Sequence, residues 1–151
     1  MLPEFDLPTS MLNQIKRYFS RRKALHAIGN DLVFIPDVES SHRQFGHRYL
    51  NFIFTSNELS DCVQADANFS YARLAARIAA KESIMKLLKP ARDQLLPWQS
   101  IEIRRDQIGA AYVELHSPAR ELARRKNIAS VAITLSHEHE YASALVLATI
   151  D

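Results

Sequence analysis

At 151 residues, with hydrophobic side chains at 47% and charged ones at 24%, the chain has the length and composition of one globular domain. Three glycines are too few for a glycine-rich nucleotide-binding loop, and one cysteine, Cys62, excludes an internal disulfide. A net charge of +2 does not by itself indicate nucleic-acid binding, although the basic residues are clustered. No apolar run reaches the ~20 residues of a membrane span and no signal-peptide pattern is present, so we expect a cytoplasmic protein.

The predicted elements mix helices and strands. A short helix capped by Thr9 or Ser10 begins a basic helical extension over residues 1–24, which precedes a single domain over residues 25–151. Within the domain, a strand over 27–35 ends at Pro36, and Thr55 caps a short helix that contains Glu58. The remaining predictions are helical turns over 49–54, a long helix over 69–88, a hairpin around 106–109, a helix over 118–126 and strands over 131–135 and 141–149. This order predicts an α+β fold.

Five basic residues give the extension a positive face: Lys16, Arg17, Arg21, Arg22 and Lys23. Such a face can bind an acidic protein, a phosphorylated ligand or a nucleic acid, or it can simply be solvated. The sequence leaves these alternatives open.

Two charged residues of the long helix share one face, because Glu82 and Lys86 are four residues apart. A helical projection places Glu82 at the edge of an apolar stripe and Arg77 nearly opposite that stripe. A carboxylate with space above it can hold a hard cation, whereas an exposed ion pair with Lys86 would explain the same spacing. Both interpretations stay open.

Two further polar residues lie in or at the ends of predicted strands. Asp31 interrupts an apolar strand, where a buried carboxylate needs hydrogen-bond donors or a metal. His137 closes the strand that reads Thr-Leu-Ser-His, a position that suits either a turn residue or a catalytic one.

The order of these residues resembles the signature of phosphopantetheinyl transferases of the holo-acyl-carrier-protein synthase type: Gly29-x-Asp31, then Lys81-Glu82-Ser83-x-x-Lys86, then Ser136-His137. Blocks between them are also similar, namely Phe45-x-x-Arg48-Tyr49-Leu50, Phe54-Thr55-x-x-Glu58, Trp98-x-x-Ile101-Glu102-Ile103 and Asp106-x-x-Gly109. The resemblance extends over residues 27–149.

The resemblance implies a long helix packed on a small antiparallel sheet, and transfer of 4′-phosphopantetheine from coenzyme A to a serine of an apo-acyl carrier protein, with release of 3′,5′-ADP. It implies that Asp31 and Glu82 bind Mg²⁺ and that Lys86 and His137 contact the phosphates as catalytic and coenzyme-binding residues. Glu82 or a metal-bound water is then the general base. A homotrimer with active sites at subunit interfaces is the expected assembly.

Three departures from the family pattern affect substrate binding. The chain lacks the glycine-containing turn that follows Lys86 in many members, so Lys89 and Arg92 are the expected substitute contacts to coenzyme A. Asp37 stands where many members place an arginine, and the basic extension precedes the family core. Two rival interpretations remain: a non-catalytic carrier-binding paralogue of the same fold, and a small nucleic-acid-binding protein.

Overall fold

The computed structural model describes residues 8–11 and 25–151. Most of the predicted basic extension, including its five basic residues, lies outside these ranges. Within residues 25–151 the elements follow in this order: β1 (Leu25–Phe34), α1 (Ile35–Phe45), α2 (His47–Ile53), α3 (Ser56–Cys62), α4 (Tyr71–Leu88), a 3₁₀ turn (Trp98–Ser100), β2 (Ile101–Arg105), β3 (Ala111–Leu115), α5 (Ala119–Arg125), β4 (Ile128–Glu138) and β5 (Tyr141–Ile150).

The main sheet has three antiparallel strands in the order β1–β5–β4. Every second residue of β5 is buried and faces α4: Ala142, Ala144, Val146 and Ala148. Because successive strand residues point to opposite faces, these four short side chains lie on the same face of the sheet. The helix can therefore pack close to the strand. The structure confirms the predicted α+β class and the long helix on an antiparallel sheet.

A second sheet pairs β2 with β3 and covers another side of α4. With both sheets and α3 around it, α4 is buried over most of its circumference. Arg77, which the helical projection places opposite the apolar stripe, is therefore only 1% exposed. Its Nε donates to the Ile103 carbonyl and its Nη2 lies 3.5 Å from Asp61 Oδ2.

The predicted end of the first strand needs correction. The strand over 27–35 stops at Phe34, because Ile35 and Pro36 begin α1, which the sequence interpretation missed. Proline is tolerated in the first turn of a helix, where its missing N–H has no helical partner. The short helix after Thr55 is confirmed: the Thr55 side chain and Glu58 form a reciprocal capping box.

The face of the main sheet turned away from α4 is open and largely apolar. Ile28 is 69% exposed, and Leu147, its cross-strand neighbour, is 42% exposed. Leu32 and Leu145 lie on the same face and are also exposed. An apolar sheet face of this kind is typical of a surface that another molecule covers.

Candidate active site

Asp31, Glu82 and Lys86 meet where the middle of β1 crosses the C-terminal half of α4. Lys86 Nζ lies 3.0 Å from Asp31 Oδ2 and donates to the Asn30 carbonyl at 3.3 Å. The Asp31 side chain is 13% exposed and that of Lys86 is 59% exposed, so the pair lies at the edge of the core. The structure thus brings together both predicted metal ligands and the predicted phosphate-binding lysine.

Gly29 allows α4 to approach β1 at this point. A Cβ built on Gly29 would lie 2.3 Å from the Ser83 carbonyl oxygen, which is backbone and cannot swing away. Ser83 Oγ donates to the Ala79 and Ala144 carbonyls, which fixes the same turn of α4 against the sheet. The glycine of the Gly-x-Asp block is therefore required by the close packing of α4 on β1.

The two carboxylates strongly affect each other's protonation. Burial, a hydrogen bond with Asp31 and the charge of Asp31 raise the pKa of Glu82 to about 7. Burial acts to raise the pKa of Asp31, but the hydrogen bond with Glu82 and the contacts with Lys86 outweigh it, and the net shift is downward. In the absence of a cation the pair therefore holds one proton below about pH 7 and loses it as the pH rises through 7.

The donor set fits a divalent cation that prefers oxygen ligands. Asp31 Oδ2 is buried and, among the residues that the structure describes, no hydrogen-bond donor lies at suitable geometry to it, although Lys86 Nζ lies at ion-pair distance. A cation beside this oxygen would satisfy it and replace the proton on Glu82. Two carboxylates form a small protein ligand set, as is usual for Mg²⁺, which keeps several waters and takes substrate phosphates.

A cavity of about 480 Å³ lies beside Lys86 and is also lined by Lys89 and Lys126. Lys89 ends α4 in the left-handed conformation, with φ 45°, and its N–H bonds to the Met85 carbonyl. Glycine is the usual residue at such a position, so the lysine here replaces it at some conformational cost. Arg92 is exposed in the following turn and does not line this cavity.

His137 is separated from the other site residues within one chain. It lies on β4 opposite Ala142 of β5, whereas Asp31 on β1 is opposite Ala144. Two strand spacings alone separate β4 from β1 by about 9–10 Å, and the register offset adds to this. His137 is exposed and makes no hydrogen bond or ion pair with Asp31, Glu82 or Lys86.

The sequence interpretation assigned no role to the charged pair that holds α4 beneath the site. Lys81 Nζ lies 2.8 Å from Glu58 Oε2, both side chains are fully buried, and Lys81 also donates to the Trp98 and Ile101 carbonyls. Glu58 accepts from the Thr55 and Ile103 amides. The ion pair thereby joins α3, α4 and β2, and it fixes the residue before Glu82.

Glu102 forms a second unpredicted network on the small sheet. Its carboxylate accepts from Thr55 Oγ1 at 2.8 Å and Asn57 Nδ2 at 3.0 Å, and it lies 2.7 Å from His116 Nε2. Glu102, Glu114 and His116 could place ligand atoms within 4.8 Å of one another. Because Glu102 already has these partners, the network is explained by its structural role in connecting α3 to β2 and β3.

Comparison with known proteins identifies the family. A model of the 4′-phosphopantetheinyl transferase superfamily matches residues 27–146. The chain belongs to this superfamily. A holo-[acyl-carrier-protein] synthase of Moorella thermoacetica is 40% identical over 119 residues, which cover 79% of this chain and 90% of the relative. One of Protochlamydia amoebophila is 32% identical, over 80% of this chain and 94% of its own length.

Solved structures agree with the family assignment. An ACPS–CoA complex of Chronobacterium ammoniagenes matches this transferase-family chain with a TM-score of 0.69 at 28% identity, covering 84% of this chain and 98% of that one. The predicted family and fold are thus confirmed. Among the described residues, no helix is both long and apolar enough to cross a membrane.

Proposed function

We propose that this protein transfers 4′-phosphopantetheine from coenzyme A to a serine of an apo-acyl carrier protein and releases 3′,5′-ADP. The observation that carries the proposal is the convergence of Asp31, Glu82 and Lys86 at one point on the edge of the core. The relatives at 32–40% identity are holo-[acyl-carrier-protein] synthases, and a related solved structure contains CoA. Acyl carrier protein and coenzyme A are accordingly the proposed partners.

Asp31 and Glu82 would hold Mg²⁺, which when bound would neutralise the pyrophosphate and draw it toward the two carboxylates. In the reaction, the serine oxygen forms a bond to the phosphorus on the pantetheine side, and the bond from that phosphorus to the 3′,5′-ADP oxygen breaks. Negative charge then grows on the leaving group, where the Lys86 ammonium stabilises it.

The serine proton needs an acceptor in the site. Glu82 is our candidate, because its carboxylate lies beside Asp31 and Lys86, and bound Mg²⁺ would keep it deprotonated although burial and Asp31 raise its pKa to about 7 in the cation-free site. Lys89 and Arg92 are proposed to contact coenzyme A from the turn after α4. Lys89 has the better support, because it lines the cavity beside Lys86 while Arg92 does not.

We also propose that the protein acts as a homotrimer. Two observations support this. The apolar face of the main sheet is exposed, and His137 on β4 is separated from Asp31 on β1 by the strand β5. In such an assembly His137 of the partner subunit would donate to the phosphates. A trimer mass by light scattering, and a monomer after Ile28→Lys, are the expected results; a wild-type monomer with full activity would contradict this part.

A cytoplasmic location completes the proposal. Its support is Cys62, the single cysteine, which is buried and unpaired as is usual in a reducing compartment.

Intact-mass spectrometry tests the reaction directly. A panel of apo-carrier proteins is incubated with the protein, coenzyme A and Mg²⁺, and one carrier is expected to gain a single phosphopantetheine. Omission of Mg²⁺ with a chelator present should stop the gain. Binding of a carrier without any mass gain across the panel would overturn the proposal in favour of a non-catalytic paralogue.

A further inference from the structure

A cavity with a polar lining lies at the corner between α1 and α2, away from the active site. Its volume is about 500 Å³, and it is lined by both helices, by the loop before α4 and by Tyr71, the first residue of α4. Tyr71 and Glu82 are eleven positions apart on the same helix, which corresponds to about 16 Å. The cavity is therefore separate from the site formed by Asp31, Glu82 and Lys86.

Two histidine rings meet in this cavity. Gly46 ends α1 and begins α2 with φ 62°, a left-handed conformation that glycine adopts without strain. The sharp corner brings His42, in the last turn of α1, next to His47, the first residue of α2, and the two ring centroids are 6.0 Å apart. Two imidazoles bound to one tetrahedral Zn²⁺ through Zn–N bonds of ~2.0–2.1 Å have centroids about 5 Å apart. A shift of about 1 Å would thus allow both rings to bind the same ion.

Tyr71 fixes the orientation of the His42 ring. His42 Nδ1 lies 2.9 Å from Tyr71 Oη, and the Phe69 ring packs edge-on against the imidazole with the centroids 5.7 Å apart. When Nδ1 donates its proton to Tyr71, Nε2 has the free lone pair that a metal ion requires. Burial and, to a smaller extent, the charge of His47 lower the pKa of His42, which favours the neutral ring that binds metals.

A carboxylate on α1 can complete a ligand set. Glu39 and His42 are three positions apart, so they share one face of α1, and both line the cavity. Glu39 is paired with Arg43, but the Arg43 side chain is 75% exposed, and surface ion pairs of this kind are weak. A metal ion can therefore compete for the carboxylate. The contact with Tyr71 explains His42 as a structural residue, but it does not explain the second imidazole and the carboxylate beside it.

We propose that His42, His47 and Glu39 form a binding site for a divalent transition-metal ion such as Zn²⁺. Imidazole nitrogens with one carboxylate are typical ligands of Zn²⁺ and neighbouring metals, whereas Mg²⁺ prefers oxygen ligands. Water would take the remaining position, and the bound ion would join the end of α1 to the start of α2. The site is independent of the proposed transfer reaction and of the cation held by Asp31 and Glu82.

Zinc titrations test this site. Zn²⁺ is titrated by calorimetry into the full-length protein and its variants, with Mg²⁺ in large excess so that Asp31 and Glu82 are occupied. Because His47 is exposed, His47→Gln should fold normally. Two controls remove histidines outside the cavity: His26→Gln changes an exposed residue of β1, and His116→Gln changes the histidine beside the carboxylates of the small sheet.

We expect the wild type and both controls to bind one Zn²⁺ in the cavity. The affinity should fall about tenfold or more in His42→Gln, His47→Gln and Glu39→Gln, since even the partners of metal ligands commonly contribute 10–100-fold. Tyr71→Phe, which removes only the oxygen beside His42, should lower the affinity by about tenfold for the same reason. With Cu²⁺ as the probe, electron paramagnetic resonance should show coupling to two imidazole nitrogens in the wild type and to one in His47→Gln.

Three results would overturn the site. The first is a wild-type protein that binds no Zn²⁺. The second is an unchanged affinity in His47→Gln or Glu39→Gln. The third is an equal loss in His26→Gln, or a loss confined to His116→Gln, either of which would place the ion elsewhere. Because neither coenzyme A nor a carrier is present, a zinc affinity that depends on His42 and His47 would stand even if the transfer assay failed.

Discussion

Replacing Gly29 with alanine should separate β1 from α4 and disturb the active site. The added methyl would lie 2.3 Å from the Ser83 carbonyl oxygen and 3.0 Å from the Ser83 carbonyl carbon. Ordinary contacts between such atoms are about 3.5 Å, so the helix and strand must move apart by roughly 1 Å. Because both clashing atoms belong to backbone, no side-chain rotation can relieve the contact.

The expected cost is about 1–3 kcal/mol, the usual penalty for adding a methylene-sized group to a packed core. With a urea slope of roughly 1–3 kcal/mol/M for a small domain, the unfolding midpoint should fall by about 1 M. A displacement of this size also moves Asp31 relative to Glu82. The transfer rate should therefore fall by about tenfold or more even where the variant is fully folded, since small misplacements of reacting groups are costly.

Ile103→Val is the control, because it removes one methylene from a buried side chain of β2 without moving β1 against α4. It should lower the free energy of unfolding by about 0.5–1.5 kcal/mol. It should keep close to the wild-type transfer rate. A Gly29→Ala protein as stable as the wild type would refute the packing argument. A destabilised one with a normal transfer rate would show that this contact does not position the carboxylates.

The other predictions concern the charged groups of α4 and β1. Asp31→Ala and Glu82→Ala, when folded, should each keep less than about a tenth of the wild-type transfer rate, since a lost cation ligand removes several kcal/mol of transition-state stabilisation. A higher rate in either variant would exclude the metal assignment. Lys86→Met should lower the rate strongly but change the free energy of unfolding by less than about 1 kcal/mol, because the Lys86 side chain is 59% exposed. Equal losses in rate and in coenzyme A affinity would instead make Lys86 a ground-state anchor. Without Mg²⁺, the free energy of unfolding of the wild type should fall relative to that of Glu82→Gln as the pH rises from about 4.5 to about 7. The reason is the raised pKa of Glu82, because of which the folded state keeps this proton to a higher pH than the unfolded state does. Parallel curves of unfolding free energy against pH would contradict the shift. Lys81→Met should cost about 3–5 kcal/mol in urea unfolding by leaving Glu58 buried without its cation, and the double variant with Glu58→Gln should cost less than Lys81→Met alone.

Asp37 shows how local structure accounts for a departure from the family pattern. It is exposed in the first turn of α1, where an acidic side chain interacts favourably with the free N–H groups of the helix. Its effect on carrier recognition stays a prediction: Asp37→Arg should tighten binding of an acidic carrier, mainly through the association rate at low salt.

The sequence by itself determined which charged residues to expect together in the candidate site. Asp31, Glu82 and Lys86 could be predicted because a strand interrupted by a carboxylate and an i, i+4 charged pair are local patterns, and their order matched a family signature. The capping box at Thr55 and Glu58 could be predicted for the same reason. Local rules suffice where the residues involved are only a few positions apart.

The tertiary structure decided which charged residues are buried and which meet. Helical periodicity assumes one apolar face, but α4 is enclosed by two sheets and α3, so Arg77 and Lys81 are buried with partners more than 15 positions away in sequence. Lys126 reaches the cavity beside Lys86 only because α5 and α4 end at the same edge of the main sheet. His137 is held apart from Asp31 by the width of β5, because the strand order β1–β5–β4 is a property of the folded chain that no local pattern encodes.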